Sequence, residues 1–353
     1  MTLRRRLVDG LARSVALTGV PALLRRRRHR RRDFRVYILE YHDFCQHDAE
    51  EHEGVVSVAR LRRHLRHLKR DFRLVTVAQA AEALARGLDE DLMVITCDDG
   101  YATNLELAWP VLREEDVAAT IYVTSGFVDG EPLWFDFGRR ALSALRQSPE
   151  KLSTSGRETL ARVVGPELAT HLDPGATVRY LKSVPGKDRH AVLDVLADLD
   201  LDLLPGPTPL TWDQVRELGE AGLEIGAHTV THPILSRLPA AEQEREIVGS
   251  RERIEEATGI RPTTFAFPNG SAEDFGTETV EILRCQGFVA NCTTIRGSNA
   301  SGCDPMTLKR LGIGSDSNAL LTARLSGLFD EGLRRLLPKT LRDSPVASPG
   351  VAG

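Results

Sequence analysis

Two carboxylates and two imidazoles mark where this chain could do chemistry. Asp98 and Asp99 close the apolar run 92–97 and are followed by Gly100. His228 and His232 stand four residues apart, just after a second apolar run at 223–227. One Asp and two His form a three-ligand set for a divalent ion such as zinc, with a coordination position left open for water or substrate. The other Asp would be free to act as a base, which is the pattern of a metal-dependent hydrolase.

Local geometry decides whether those residues can meet. Successive side chains on a strand point to opposite faces, so Asp98 and Asp99 can share a site only if the strand ends there and the backbone turns. Gly100 permits that turn. Alone, an Asp–Asp–Gly triplet is weak evidence, because most are solvated turns. Between the histidines lie the β-branched Thr229, Val230 and Thr231, and Pro233 follows, so a loop or single turn is expected there. Thr229 or Thr231 could hydrogen-bond near the ion, and Tyr101 beside the triplet is placed near the site. A third element, FAFPNG at 265–270, puts Pro268 and Gly270 in a tight loop after an apolar strand. Such a loop can aim a backbone N–H at a developing oxyanion.

Positioning these residues requires a scaffold. Seven strand candidates recur at 36–41, 92–97, 119–123, 223–227, 264–267, 288–293 and 310–314. Amphipathic stretches separate them at 58–70, 102–114, 212–221, 240–258 and 277–286. In the first of these, Val58, Leu61, Leu65 and Leu68 share one face. Alternation of this kind implies parallel strands with covering helices. Seven units suggest a barrel one unit short of the (β/α)8 type, with its chemistry at the C-terminal ends of the strands. Asp98, His228, Pro268 and His42 all fall at such ends. Residues 130–209 break the rhythm, read as helical, and end at Pro205, Pro207 and Pro209. They are taken as an insertion, serving either as a lid over the barrel mouth or as a packed side layer.

Bulk composition bounds the remainder. At 353 residues, 27% charged and 41% hydrophobic, the chain reads as soluble and globular. The net charge of -4 hides a basic start, where residues 1–35 hold twelve Arg against Asp9 and Asp33. Leu3, Leu7, Leu11 and Val15 recur every four residues there, as on an amphipathic helix, so residues 1–32 are expected to make peripheral membrane contact. Nucleic acid is the weaker partner for them. Asp9 and Arg13 interrupt the apolar segment, and RRRRHRRR replaces a cleavage site, so a signal peptide is not expected. Five cysteines without metal-type spacing favour a reduced, cytoplasmic setting, peripheral to the inner face of a membrane. The chain divides into the basic segment 1–35, a barrel at 36–329 and a tail at 330–353 whose composition predicts disorder.

The three elements, in this order, resemble the polysaccharide deacetylase family, the NodB-homology carbohydrate esterases. Thr96, Cys97, Asp98, Asp99 and Gly100 match its first motif, with Cys97 in place of the usual aromatic. His228, Thr229 and His232 match the second, and Pro268 and Gly270 the third. The resemblance implies a distorted (β/α)7 barrel, a divalent metal with zinc first and nickel, cobalt or manganese as alternatives, and hydrolysis of acetyl groups on an N-acetylated glycan or glycolipid. It makes Asp98 the general base and Asp99, His228 and His232 the metal ligands, with the Asn269 N–H at the oxyanion. The family's usual Arg before the third motif is missing, since Ala266 and Phe267 stand there. Arg310 is the candidate substitute, and a surface salt bridge is the competing role for it. The family's late general-acid histidine is missing too, because no His follows His232. A branch of the family that de-N-acetylates poly-β-1,6-N-acetylglucosamine has an early Tyr–His element like Tyr41–His42, which makes His42 the expected acid, tuned by Glu40 or Asp43. His47, His52, His64 and His67 are expected to be solvated. Hydrolysis of another non-peptide carbon–nitrogen bond, or a non-catalytic glycan-binding scaffold, are the competing readings.

Overall fold

The computed structural model describes residues 10, 12–14, 18–52, 54–314 and 316–326. Leu3, Leu7, Leu11 and Val15, and the tail at 330–353, lie outside the described residues. The described chain closes seven parallel strands into a barrel: β1 (Arg35–Tyr41), β2 (Leu92–Cys97), β3 (Thr120–Val123), β4 (Glu224–Ala227), β5 (Thr264–Ala266), β6 (Ala290–Arg296) and β7 (Leu308–Gly312). β1 shuts the ring. It pairs with β2 from Val36↔Leu92 to Tyr41↔Cys97, and with β7 at Leu39↔Leu311 and Glu40↔Gly312. The seven expected strands are therefore the seven barrel strands, with ends displaced by a few residues.

Strand parity separates two cores. Val36, Ile38, Val94, Tyr122, Ala266, Cys292 and Leu308 share one buried cluster. Their sequence neighbours Tyr37, Leu39, Met93, Ile95, Ile121, Phe265 and Phe267 belong to the larger cluster shared with the outer helices. Alternate side chains on a barrel strand point in and out, so the first cluster fills the barrel. The helix Val77–Arg86 belongs to that inner set through Val77, Ala80 and Ala81. It plugs the lower end: Val77 N–H donates to Thr120 Oγ1 at 3.1 Å and Ala78 N–H to Glu224 Oε2 at 3.0 Å. With the bottom closed, the upper rim is the open end.

Three features depart from the sequence reading. The helix Val77–Arg86 and the short strand Arg73–Val75 beside β2 occupy a stretch assigned no element. Residues 102–114 do not begin as an α-helix, because a π-helical turn at Asn104–Ala108 precedes Trp109–Glu114. His64 is not solvated but fully buried. Its Nδ1 accepts from the Tyr41 hydroxyl at 2.9 Å and its Nε2 faces the Asp316 carbonyl at 2.9 Å, which ties β1 to the segment before the last described helix, Asn318–Leu325. His67 is half-buried against Thr322 Oγ1 at 2.7 Å.

Within the insertion at 130–209, between β3 and β4, lie five α-helices, Trp134–Gln147, Thr154–Val164, Pro166–His171, Pro174–Ser183 and Gly186–Ala197. They bury a core of their own around Leu142, Leu145, Leu160, Leu181 and Leu196, which reaches the barrel rim through Tyr101 and Phe127. No described helix is long and apolar enough to cross a membrane.

Candidate active site

The turn after β2 brings both carboxylates to one place. Asp99 adopts φ 74° and Gly100 φ 89°, two successive left-handed residues at the strand end. Thr124 N–H donates to the Asp99 carbonyl at 3.2 Å and Leu210 N–H to the Gly100 carbonyl at 2.9 Å, which hold the turn from two sides. A non-glycine residue pays strain in this region. Here that strain turns Asp99 out of the strand's alternation and into the pocket beside Asp98. Both are buried, at 2% and 1% exposure.

The histidine loop is built with equal care. Thr229 has φ 67° and His232 φ 55°. Thr229 Oγ1 accepts from His232 N–H at 3.0 Å, and Gly126 N–H caps the Val230 carbonyl at 2.9 Å. Glu246, on the helix Ala240–Thr258, clamps the loop apex. Its Oε2 accepts from Val230 N–H and Thr231 N–H, both at 2.9 Å, and its Oε1 from the Thr231 hydroxyl at 2.7 Å. The result puts His228 Nε2 and His232 Nε2 each 3.5 Å from Asp99 Oδ1. Two ligands of one tetrahedral zinc, each about 2.0–2.1 Å from it, lie roughly 3.4 Å apart. The Asp99 Oδ1 atom is buried without a hydrogen-bond partner among the described residues. His228 Nδ1 lies 2.7 Å from the Ala266 carbonyl, so that nitrogen carries the proton and Nε2 presents its lone pair inward. Burial pushes the Asp99 carboxyl above its usual range and the His232 imidazole well below its own. A cation between them would offset the cost of a charged Asp99, and the three residues fit one.

Asp98 lies next to this set but has a different partner. Arg310, from β7 and fully buried, donates Nη1–H to Asp98 Oδ1 at 2.8 Å and Nη2–H to Oδ2 at 2.7 Å. It is no surface salt bridge. Burial alone would raise the Asp98 carboxyl, but the Arg310 guanidinium, joined by His228 and His42, outweighs it and holds the group below the ordinary carboxylate range. Glu40, the next inward-facing position of β1 after Ile38, places Oε2 3.6 Å from Arg310 Nε and Oε1 3.6 Å from His42 Nε2. Burial raises the Glu40 carboxyl, only partly countered by Arg310. Ligand-type atoms of Glu40, His42 and Asp98 all lie within 4.8 Å of one another. The His42 side chain is 28% exposed, so the only histidine of this cluster faces the open rim. Asp43 is turned away from it, onto Thr103 Oγ1 and its neighbour's Phe44 N–H.

The loop after β5 completes the rim. Asn269 adopts φ 57° and Gly270 φ 65°. A Cβ at Gly270 would stand 2.9 Å from the Thr294 backbone nitrogen, so only glycine fits there. The Asn269 side-chain Nδ2 is buried with no hydrogen-bond partner among the described residues. Tyr101, next but one to Asp99 in the turn, is buried and packs edge-on against Phe127 at 5.6 Å.

Sequence reasoning passed over two sets of residues here. Glu246 gave no signal, since a glutamate on an amphipathic helix reads as solvated. Trp134 and Phe135, which open the inserted helices, reach the metal loop: Trp134 Nε1–H donates to the His232 carbonyl at 3.0 Å, and the Phe135 ring meets the His232 ring at 5.0 Å. The insertion thus forms one wall of the histidine site.

A family model described as Polysaccharide deacetylase matches residues 85–290. The structure of IcaB from Ammonifex degensii is 20% identical, with 83% of this chain and 97% of that one covered at a TM-score of 0.56. The Streptococcus pyogenes deacetylase PplD, solved in complex with acetate, is 16% identical over 82% of this chain and 97% of that one, with a TM-score of 0.54. A de-N-acetylase from Aggregatibacter actinomycetemcomitans is 18% identical over 80% and 96%, at 0.51. At such identities the likeness is one of fold. In sequence, the "Uncharacterized protein YlxY" of Bacillus subtilis (strain 168) is 34% identical over 56 residues, which span 16% of this chain and 18% of that protein.

Proposed function

The chain belongs to the polysaccharide deacetylase family, and from that premise we propose that it removes N-acetyl groups from an amino-sugar polysaccharide or glycan precursor with a divalent metal, zinc first, held by Asp99, His228 and His232. The observation that carries this reading is the meeting of Asp98 with that ligand set at one end of the barrel. A bound divalent ion supplies polarisation of the acetyl carbonyl and acidification of water. The chain's own groups account for the proton movements. Asp98, kept ionised by Arg310, takes a proton from the attacking water. The Asn269 N–H, on the loop shaped by Pro268 and Gly270, would donate to the negative charge that develops on the acetyl carbonyl oxygen. His42 gives a proton to the departing amine at the exposed rim, with Glu40 stabilising its imidazolium. Thr229 holds His232 in place through its N–H, and Tyr101 lines the wall beside Asp99. A non-catalytic scaffold would have no use for the strained turns that bring these groups together.

Acetate release from N-acetylated oligosaccharides tests the reading. The metal-loaded protein is expected to release acetate, to lose that activity to a chelator and to regain it with zinc, nickel, cobalt or manganese. No release from any N-acetylated glycan, with hydrolysis of a cyclic amide instead, would transfer the site to a different carbon–nitrogen bond.

A further inference from the structure

Opposite the active site, a basic helix is fixed to the bottom of the barrel. Val20–Arg30 packs there through a single buried acid, Asp91, which immediately precedes β2. Asp91 Oδ2 lies 3.2 Å from Arg25 Nε, 3.2 Å from Arg28 Nη2 and 2.8 Å from His29 Nε2, while its Oδ1 accepts from Arg35 N–H at 2.9 Å. The Arg25 guanidinium also covers the Phe72 ring at 4.4 Å and pairs with Asp71 at 3.0 Å. One face of the helix is thereby consumed.

The other face is exposed and basic. Leu23, Arg26, Arg27 and Arg30 follow the i, i+3, i+4, i+7 spacing of one helical stripe, and all are exposed, as are Arg31 and Arg32. Among the described residues none of these five arginines has a carboxylate partner. Leu23 is 65% exposed and Val20 37%, so the cations are accompanied by apolar side chains. The nearby acids offer no neutralisation, because Asp91 and Asp71 are engaged by the inner face and Asp33 by Arg35 at 2.8 Å.

We propose that this face binds an anionic lipid surface and holds the barrel with its catalytic rim pointing away from the bilayer. Arginines interleaved with exposed leucine and valine suit headgroups above an acyl boundary, whereas phosphate tracking along a duplex has no use for the apolar residues. The strand length of six or seven residues sets roughly 20 Å between the basic face and the rim. The inference is independent of the reaction assigned to the rim.

Vesicle partitioning of the full chain tests it, with phosphatidylglycerol–phosphatidylcholine vesicles against phosphatidylcholine alone. Binding is expected only to the anionic vesicles, weakening with added salt. Reversal of the stripe in R26E/R27E/R30E should lower the partition coefficient by roughly a hundredfold or more, with melting temperature unchanged because all three side chains are in solvent. Hydrogen exchange on the vesicle-bound protein should show new protection at residues 20–32 and none at the rim loops around Tyr101 and Val230. Any of four results would overturn the proposal: no binding to anionic vesicles, undiminished binding by the reversed variant, tighter capture of duplex DNA than of vesicles at equal salt, or protection at the rim instead of the helix.

Discussion

Replacing Asp98 by Asn should lower kcat for acetate release by about three orders of magnitude, within the ~10²–10⁴ range that a positioned base contributes. The substitution keeps the shape of the side chain and removes its basicity. Substrate binding is made elsewhere, so KM should change little and kcat and kcat/KM should fall together. Ion content should stay at the wild-type level, because Asp99 Oδ1 faces His228 and His232 while both Asp98 oxygens are engaged by Arg310. Steady-state kinetics with metal analysis on the same sample would check both halves. A rate within tenfold of wild type would remove Asp98 from its role as base.

The second large effect falls on stability. Arg310→Met should destabilise the fold by about 3–5 kcal/mol, the usual cost of stranding a buried charge by removing its partner. Two carboxylates are stranded at once, since Arg310 serves both Asp98 and Glu40. The pH dependence has a definite sign. In the wild type Asp98 sits below its ordinary value of 3.8, so its pairing contributes stability above that value, which is lost as pH falls through the folded-state pKa. Without the guanidinium, burial loses its main opponent, and both carboxyls should rise above their unfolded values. Their burial is then tolerated only while protonated, and the variant loses stability as pH rises through the new pKa. The deficit should therefore grow from pH 5 to pH 8, measured by denaturant unfolding of chelator-treated protein. An equal deficit at both values would mean that Arg310 acts through packing alone.

Much of the barrel is legible in the linear chain because its strands are continuous apolar runs and four of its catalytic-type residues stand at their ends. Other parts are less visible for physical reasons. The plug helix Val77–Arg86 is small-residue-rich, so its stripe of Val77, Ala80, Ala81 and Leu84 carries little hydrophobic contrast. A capping box at Thr76 and Gln79 was the signal available. His64 reads as polar by type, yet it sits three residues after Leu61 and four before Leu68 on the same buried stripe. Glu40 could have been placed by parity, since it continues Val36 and Ile38 into the barrel. The family resemblance, and not residue spacing, points to Arg310 as the partner of Asp98, because that contact exists only once β1 brings β7 and β2 to either side of it. The Glu246 clamp and the Trp134–Phe135 wall likewise depend on contacts between elements far apart in sequence.

Zinc content offers the most direct measurement of the site. After removal of adventitious metal and dialysis against limiting zinc, the wild-type chain should retain one ion per molecule, and His228→Gln should retain none while melting at a similar temperature. A wild-type chain that never holds a stoichiometric divalent ion, or a His228→Gln variant that holds it as well as the wild type, would contradict the assignment of Asp99, His228 and His232 as a metal centre.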